Sequence, residues 1–491
     1  MLGPRLLFIS YLQGWLAASS HMWLRPVVII GILLISVTLP LKVSEQHLTT
    51  ILALPFLIVG IIIITRWPQL GFLGIIAGLM VPINGPSGFN LSMLLVAILL
   101  GIWIPDMMLR KREIKLLPSG TFLPLFILVV MATISFGVGL LPWYTFSQSA
   151  PLGAQLGGLS IYVLSAAAFL LVAHLCNLRW LQWIVWSFLA VASIYLTGQV
   201  ISPLLSIINP LFIKSTDSLF WTWLVALAFS QAVFNKKLHI GWRLALGILF
   251  ATTMYVAMRN EGWKSGWVPP LITVAAIIGF RFWKLALTLS PLGFIPVSYL
   301  VTQIIATDEY SWGTRVDAWL IVAEITKASP ILGLGFANYN WYAVLFPIRG
   351  YAVRFNSHMQ YTDILAQTGI IGLICFIWFF AVVGWLAWRL KDRVPEGFAR
   401  AYVYGALGGF VGTLVAGALG DWVLPFFYNI GLTGFRASVL GWIFLGGLII
   451  LEQQYLVRPQ TELDESKKIA KRKKRNILLP PRQRNDYQTF R

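Results

Sequence analysis

Charge is scarce in this chain. Only 11% of its 491 residues are charged, and 18 of these are acidic. A soluble protein of this length needs far more charge to cover its surface. Hydrophobic residues make up 58% of the chain and mean hydropathy is +0.77, which excludes a globular enzyme on a single anchor. Cysteine is nearly absent. Cys176 and Cys375 both sit in apolar runs, form no C-x-x-C pair, and read as small core residues. Motifs for nucleotide and metal chemistry are missing as well, with no P-loop, no D-x-D pair and no H-E-x-x-H. No cleavable signal peptide is evident, and Met1 to Ser20 reads as an interfacial helix or a ragged first segment.

What the chain does have is long apolar runs. They fall near 27–41, 49–65, 69–83, 89–105, 121–140, 157–176, 180–199, 217–235, 241–258, 267–281, 284–306, 363–388, 400–420 and 432–452. A membrane span needs about 20 apolar residues. Some runs are short, and Pro269 and Pro270 interrupt one of them. The expected fold is therefore an all-α polytopic membrane protein of about 12–14 transmembrane helices, with one long extracytoplasmic loop containing short helices. Residues 1–306 form an N-terminal transmembrane region and 307–362 the loop. Residues 363–452 form the C-terminal transmembrane helices and 453–491 a basic tail.

The net charge of +19 could suggest a nucleic-acid partner. Its location argues otherwise, because seven basic residues crowd into the tail between Lys467 and Arg475. Such a tail reads as a cytoplasmic anchor drawn to anionic lipid, and no nucleic acid is expected. With the tail inside, alternating connections put Arg25, Arg66, Arg110, Lys111, Arg112, Lys115, Lys236, Lys237, Arg243, Arg281, Lys284, Arg389, Lys391, Arg393 and Arg400 on the inside. The outside keeps only Lys42, Lys214, Arg259, Lys264, Arg315, Lys327, Arg349, Arg354 and Arg436. The positive-inside rule therefore places both termini in the cytoplasm and the loop outside the cytoplasmic membrane. Neither ATP nor nucleotide sugars are present there, so an enzyme needs an activated donor such as a lipid-linked diphosphate.

The loop carries the chemistry-bearing residues. Thr314 and Asp317 form a T-x-x-D capping box for a helix that Pro330 stops, and Val316, Trp319, Leu320 and Ala323 keep its spacing. Arg315 is either a solvated charge or an anion ligand. A glycine turn follows over Pro330 to Phe336. The aromatics Tyr339, Trp341, Tyr342, Phe346, Tyr351 and Phe355 suit an interfacial belt or stacking on sugar rings. His358 precedes an apolar helix, where it is an ordinary interfacial histidine or a base for a hydroxyl. A pairing of His358 with Asp363 is not expected, since five residues apart they take different helix faces. Arg259 and Arg436 lie near outer helix ends. There they can snorkel or bind an anionic head group, the guanidinium fork matching phosphate oxygens.

The order of these features resembles the O-antigen ligase and O-antigen polymerase superfamily of bacterial membrane glycosyltransferases. The resemblance rests on Arg315 to Trp319, Pro330 to Phe336 and His358 to Leu373. It implies metal-independent transfer or polymerisation of a glycan from an undecaprenyl diphosphate donor, without a cofactor. The acceptor hydroxyl would belong to a glycan, lipid or protein on the outer face of the membrane. By that likeness His358 is the catalytic base or acceptor-orienting group, while Arg315 and Arg259 bind diphosphate; Arg436, near the outer end of the last run, is a further candidate diphosphate ligand. Tyr361, Trp319 and Tyr339 are the candidate sugar contacts. Met258 and Asn260 stand where the family has serine and glycine around its arginine, and Gln367 where glutamate is common. The alternative is a polysaccharide flippase or other multi-span transporter, for which related halves would be expected but no repeat is seen.

Overall fold

A computed structural model describes residues 60–459, apart from 61, 83, 86–87, 114, 213–214, 260–262, 285 and most of 289–308. The expected runs at 27–41 and most of 49–65 and 284–306 lie outside the described residues, as do Met1 to Ser20 and the basic cluster of the tail. The chain divides into Met1–Pro68 and Gln69–Arg491.

The described residues are almost wholly helical, with no strands and only isolated bridges at Asn84–Asn90 and Ile348–Tyr351. The helices are α1 (Gln69–Ala77), α2 (Leu91–Pro105), α3 (Phe122–Val138), α4 (Leu152–Leu175), α5 (Leu178–Val200), α6 (Ser202–Ile208) and α7 (Ser218–Phe234). They continue with α8 (Ile240–Arg259), α9 (Lys264–Arg281), α10 (Glu309–Thr326), α11 (Asn338–Tyr342), α12 (Gln360–Leu390), α13 (Phe398–Leu419) and α14 (Phe435–Glu452). Among the described residues, seven helical segments are long and apolar enough to cross a membrane: 91–109, 152–175, 178–200, 240–259, 360–390, 398–419 and 432–457. Four further apolar helices are shorter. This is an all-α polytopic membrane protein.

Local sequence sets the helix starts. Asn90 caps α2 by accepting from the Met93 amide, Asn177 caps α5 through the Trp180 amide, and Asp217 caps α7 through the Leu219 amide. The segment containing α14 is wholly buried, and α14 packs on α4, α7 and α13. In lipid, helices associate by close packing rather than by hydrophobic burial, so small residues mark their contacts. A side chain at Gly412 of α13 would strike the Thr273 hydroxyl and approach the Pro269 carbonyl of α9. The expected interruption at Pro269 and Pro270 does not occur. Helix α9 runs through both prolines, and the Pro269 carbonyl accepts the Thr273 hydroxyl at 2.8 Å.

The loop helix also differs from expectation. Helix α10 begins at Glu309, so Thr314 is interior rather than a cap, and Asp317 instead pairs with Arg349 at 2.7 Å. Helical residues upstream of Thr314 make that position interior, which leaves Asp317 available for an ion pair.

Candidate functional site

The site is assembled where the two glycine motifs meet. Gly333 and Gly335 have φ of +75° and +83°, and Gly369 inside α12 has φ of +68°. Amides of Leu334 and Gly335 donate to the carbonyls of Ala366 and Gln367 at 2.8 and 3.1 Å, and the Ile370 amide donates to Pro330 at 2.9 Å. The Pro330–Phe336 turn thus clasps α12 backbone to backbone at its kink. A Cβ at Gly333 would meet backbone of residues 367–369 at 2.5 Å, and one at Gly369 would collide with the Ile331 carbonyl. Only glycine permits that approach. Asn338 fixes the turn to the α3–α4 connection, donating to Gly139 and Leu334 while its oxygen accepts from Ala150.

The clasp places the start of α12 beside α10, and the backbone around His358 is held from three directions. Trp319 Nε1 donates to the Ser357 carbonyl at 2.8 Å. The Ser357 amide donates to Tyr339 Oη at 3.2 Å. Ser357 Oγ and Tyr339 Oη both donate to Asp363 Oδ1, at 2.7 and 2.5 Å. His358 itself takes φ of +49°, an unusual conformation for a residue with a side chain. Asp363 is fully buried in this network and serves the backbone before His358.

His358 opens onto a cavity of about 510 Å³, lined by Thr314, Arg315, Ala318, Ile348, Arg354, Phe355, Asn356 and His358. Arg315 and His358 therefore share one chamber, as the spacing of neither could reveal. Arg315 also donates through Nη1 to the Leu419 carbonyl at 3.2 Å, which ties α10 to the end of α13. Burial, and then the Arg315 charge, lower the His358 pKa below its ordinary value. The ring is consequently mostly neutral at pH 7 and able to accept a proton.

Arg354 is the cavity residue that the loop's sequence did not single out as a ligand. Its guanidinium lies over the Trp341 ring at 3.5 Å from the centroid, and the Trp341 indole donates to Tyr428 Oη at 2.8 Å. An arginine thirteen residues from a tryptophan gives no periodic signal, and the pairing is made by the irregular loop between them. The connection between α13 and α14 also escaped notice. There Asp421 accepts from the Phe426 amide and the Asn429 side chain, and burial pushes its carboxyl up to about 6. Gln360 reaches the same connection, accepting from the Val423 and Leu424 amides.

The other expected site residues lie elsewhere. Arg436 is fully buried, with Nη2 on Asn84 Oδ1 at 2.7 Å, and does not line the cavity. Arg259 is exposed at the end of α8 and is likewise outside the lining. Tyr361 donates to the Leu414 carbonyl of α13. Tyr339 is fully buried and stacks on Phe426 at 4.7 Å. Most loop aromatics form neither a belt nor an open platform. Tyr339 and Tyr342, with Phe346 and Phe355 against them, make the loop's own small core with Val322, Leu334 and Phe426. Among the described residues no group of three or more His, Cys, Asp or Glu side chains is placed to hold a metal ion.

The fold and cavity define a polytopic membrane protein with a cationic, histidine-bearing chamber at one end of its bundle. Residues 224–377 match the family described as O-Antigen ligase, a stretch that includes Arg315, Arg354 and His358. Over that stretch, about a third of its length, the chain is similar to the O-antigen ligase family. A comparison with curated proteins returned no match.

Proposed function

We propose that this chain transfers a glycan from an undecaprenyl-diphosphate-linked donor to an acceptor hydroxyl at the outer face of the cytoplasmic membrane. The carrying observation is the shared cavity of Arg315, Arg354 and His358. A glycosyl diphosphate already bears its leaving group, so the protein must stabilise charge growing on the diphosphate and aim an oxygen at the anomeric carbon. Arg315 and Arg354 supply that positive charge, and their planar forks suit phosphate oxygens. Arg354 is pre-oriented by Trp341.

The acceptor oxygen attacks the anomeric carbon as the bond from that carbon to the diphosphate oxygen breaks. The hydroxyl proton passes to the neutral imidazole of His358, and undecaprenyl diphosphate leaves. A positioned base contributes roughly 10²–10⁴-fold to such a step. Direct attack inverts the anomeric configuration. Asn356 lines the same cavity, and its buried Oδ1 has no hydrogen-bond partner, so it suits a hydroxyl of the incoming sugar. In this reading the diphosphate rests on Arg315 and Arg354, with Trp319 and Tyr339 setting the position of His358 rather than touching sugar.

The test is transfer by the full chain reconstituted in liposomes, with an undecaprenyl-diphosphate-linked glycan and candidate acceptors. His358→Ala and Arg315→Ala should abolish product while the protein inserts normally. Full product from both variants would overturn the reading.

A further inference from the structure

Four helix ends meet at the other end of the bundle. These are the ends of α7 and α9, the end of α12 and the start of α13. They enclose a cavity of about 300 Å³ lined by Val233, Phe234, Lys236, Arg281, Lys391, Asp392, Glu396, Arg400 and Tyr404. Helix α12 separates it from His358 by up to about 45 Å, taking 1.5 Å per residue over its 31 residues. Four cations face two carboxylates there, leaving a surplus of two positive charges.

The internal pairing does not consume that surplus. Glu396 is shared by Arg400 at 3.0 Å and Lys236 at 3.7 Å. Lys391 is 7% exposed, yet its partner Asp392 is 71% exposed and turned largely to water. The Arg400 Nε atom is buried with no hydrogen-bond partner. Arg400 Nη2 donates to the Val394 carbonyl, so the uncompensated charge is that of buried Lys391 and of the Arg400 Nε edge, and charge left so marks a place for an anion.

Beside this pocket lies an apolar groove of about 340 Å³, lined by Ala276, Gly279, Phe280, Trp283, Ala286, Leu287 and Trp388. The two features are joined. Lys391 Nζ sits 4.2 Å from the Trp388 ring centroid, Trp388 packs edge-on against Phe280 and Trp283, and Arg281 directly follows Phe280. A cationic pocket continuous with an aromatic-walled groove, at the ends of membrane-spanning helices, has the two-part chemistry of a phospholipid.

We infer that this end of the bundle binds one anionic phospholipid, its phosphate held by Lys236, Arg281, Lys391 and Arg400 and an acyl chain lying along the groove. The lipid comes from the leaflet opposite the His358 cavity. Free phosphate shares the head-group chemistry but leaves the groove unused. The site neither rests on the transfer reading nor tests it.

The test titrates phosphatidylglycerol or phosphatidylcholine into the detergent-solubilised full chain and reads bound lipid by native mass spectrometry. One phosphatidylglycerol should bind at least tenfold more tightly than phosphatidylcholine, and raising salt should weaken only the anionic lipid. Lys236→Gln with Arg281→Gln, both at exposed positions, should weaken phosphatidylglycerol about 30-fold, from the usual contribution of two basic side chains at a lipid surface. Gly279→Leu should weaken both lipids, since a Cβ there meets only Ala286 at 3.8 Å and the longer side chain fills the groove. Equal binding of the two lipids, undiminished phosphatidylglycerol in the double variant, or its displacement by inorganic phosphate at equal concentration would each overturn the inference. Salt dependence needs no variant and decides the matter if a substitution impairs folding.

Discussion

Trp319 and Ser357 are joined across 38 residues by an indole N–H donating to a backbone carbonyl at 2.8 Å. The bond links the loop helix to the residue immediately before His358, and so fixes the imidazole relative to Arg315 on the same helix. Trp319→Phe keeps the ring and removes the donor. A lost hydrogen bond of this kind costs about 1 kcal/mol. Transfer should therefore fall by roughly five- to tenfold in kcat with KM for the donor little changed. Steady-state kinetics on reconstituted protein reads the split. A rise in KM at constant kcat would assign Trp319 to substrate binding instead.

The depressed pKa of His358 sets a pH dependence. The imidazole acts as a base only when neutral, so transfer should rise with pH through a value below 6.5 and then level off. Arg315 is one of the two causes of the depression. Arg315→Gln should slow transfer and move the acid limb of the residual rate to higher pH, toward the ordinary histidine value. A pH–rate profile of both proteins checks the direction, and an unmoved limb would contradict it.

Asp421 gives a separate signature in stability. Its carboxyl is held up to about 6 by burial, against about 3.9 when unfolded. The folded state therefore binds the proton more tightly than the unfolded one. Its contribution is fully present below about pH 4 and is lost as pH rises through about 6, worth on the order of 3 kcal/mol. Asp421→Asn stays neutral and should lose this dependence. Thermal unfolding in detergent should show the variant gaining on the parent between pH 4.5 and 7.5.

The glycine clasp predicts a contrast between two substitutions. Gly369→Ala would drive a Cβ into the Ile331 carbonyl at a positive φ and should prevent accumulation of folded protein. Gly350→Ala also has a positive φ, but nothing lies within 4 Å of its Cβ. Its cost should stay near the conformational strain alone, about 1–2 kcal/mol. Expression level and elution profile in detergent distinguish the two.

Much of this was legible in the sequence because lipid imposes strong rules. Long apolar runs mark the spans, and the glycines at 333 and 335 mark tight backbone, whereas Gly369 lies in an apolar run that gives no sign of its kink. The clasp between them was not legible, since it pairs positions more than 30 residues apart. The packing of the loop aromatics is hidden from the sequence for a related reason. Composition shows that Tyr339 and Tyr342 are aromatic but not that they pack under the loop as its core. Arg259 and Arg436 were grouped with Arg315 because charge bias reports a side of the membrane and not a location within it. Arg354 reached the cavity through an irregular segment with no period to read. Lys236, Arg281, Lys391 and Arg400 were assigned to one side by alternation alone, and the fold gathers them into one pocket.

Holding the donor and moving the proton fall to different residues, and one paired measurement tests that separation. Binding of an undecaprenyl-diphosphate-linked glycan and single-turnover transfer are measured on the same reconstituted His358→Ala and Arg354→Ala proteins. His358→Ala should bind donor like the parent and transfer at least 100-fold more slowly, in the range for loss of a positioned base. Arg354→Ala should bind donor more weakly. Transfer by His358→Ala at the parent rate would contradict the account.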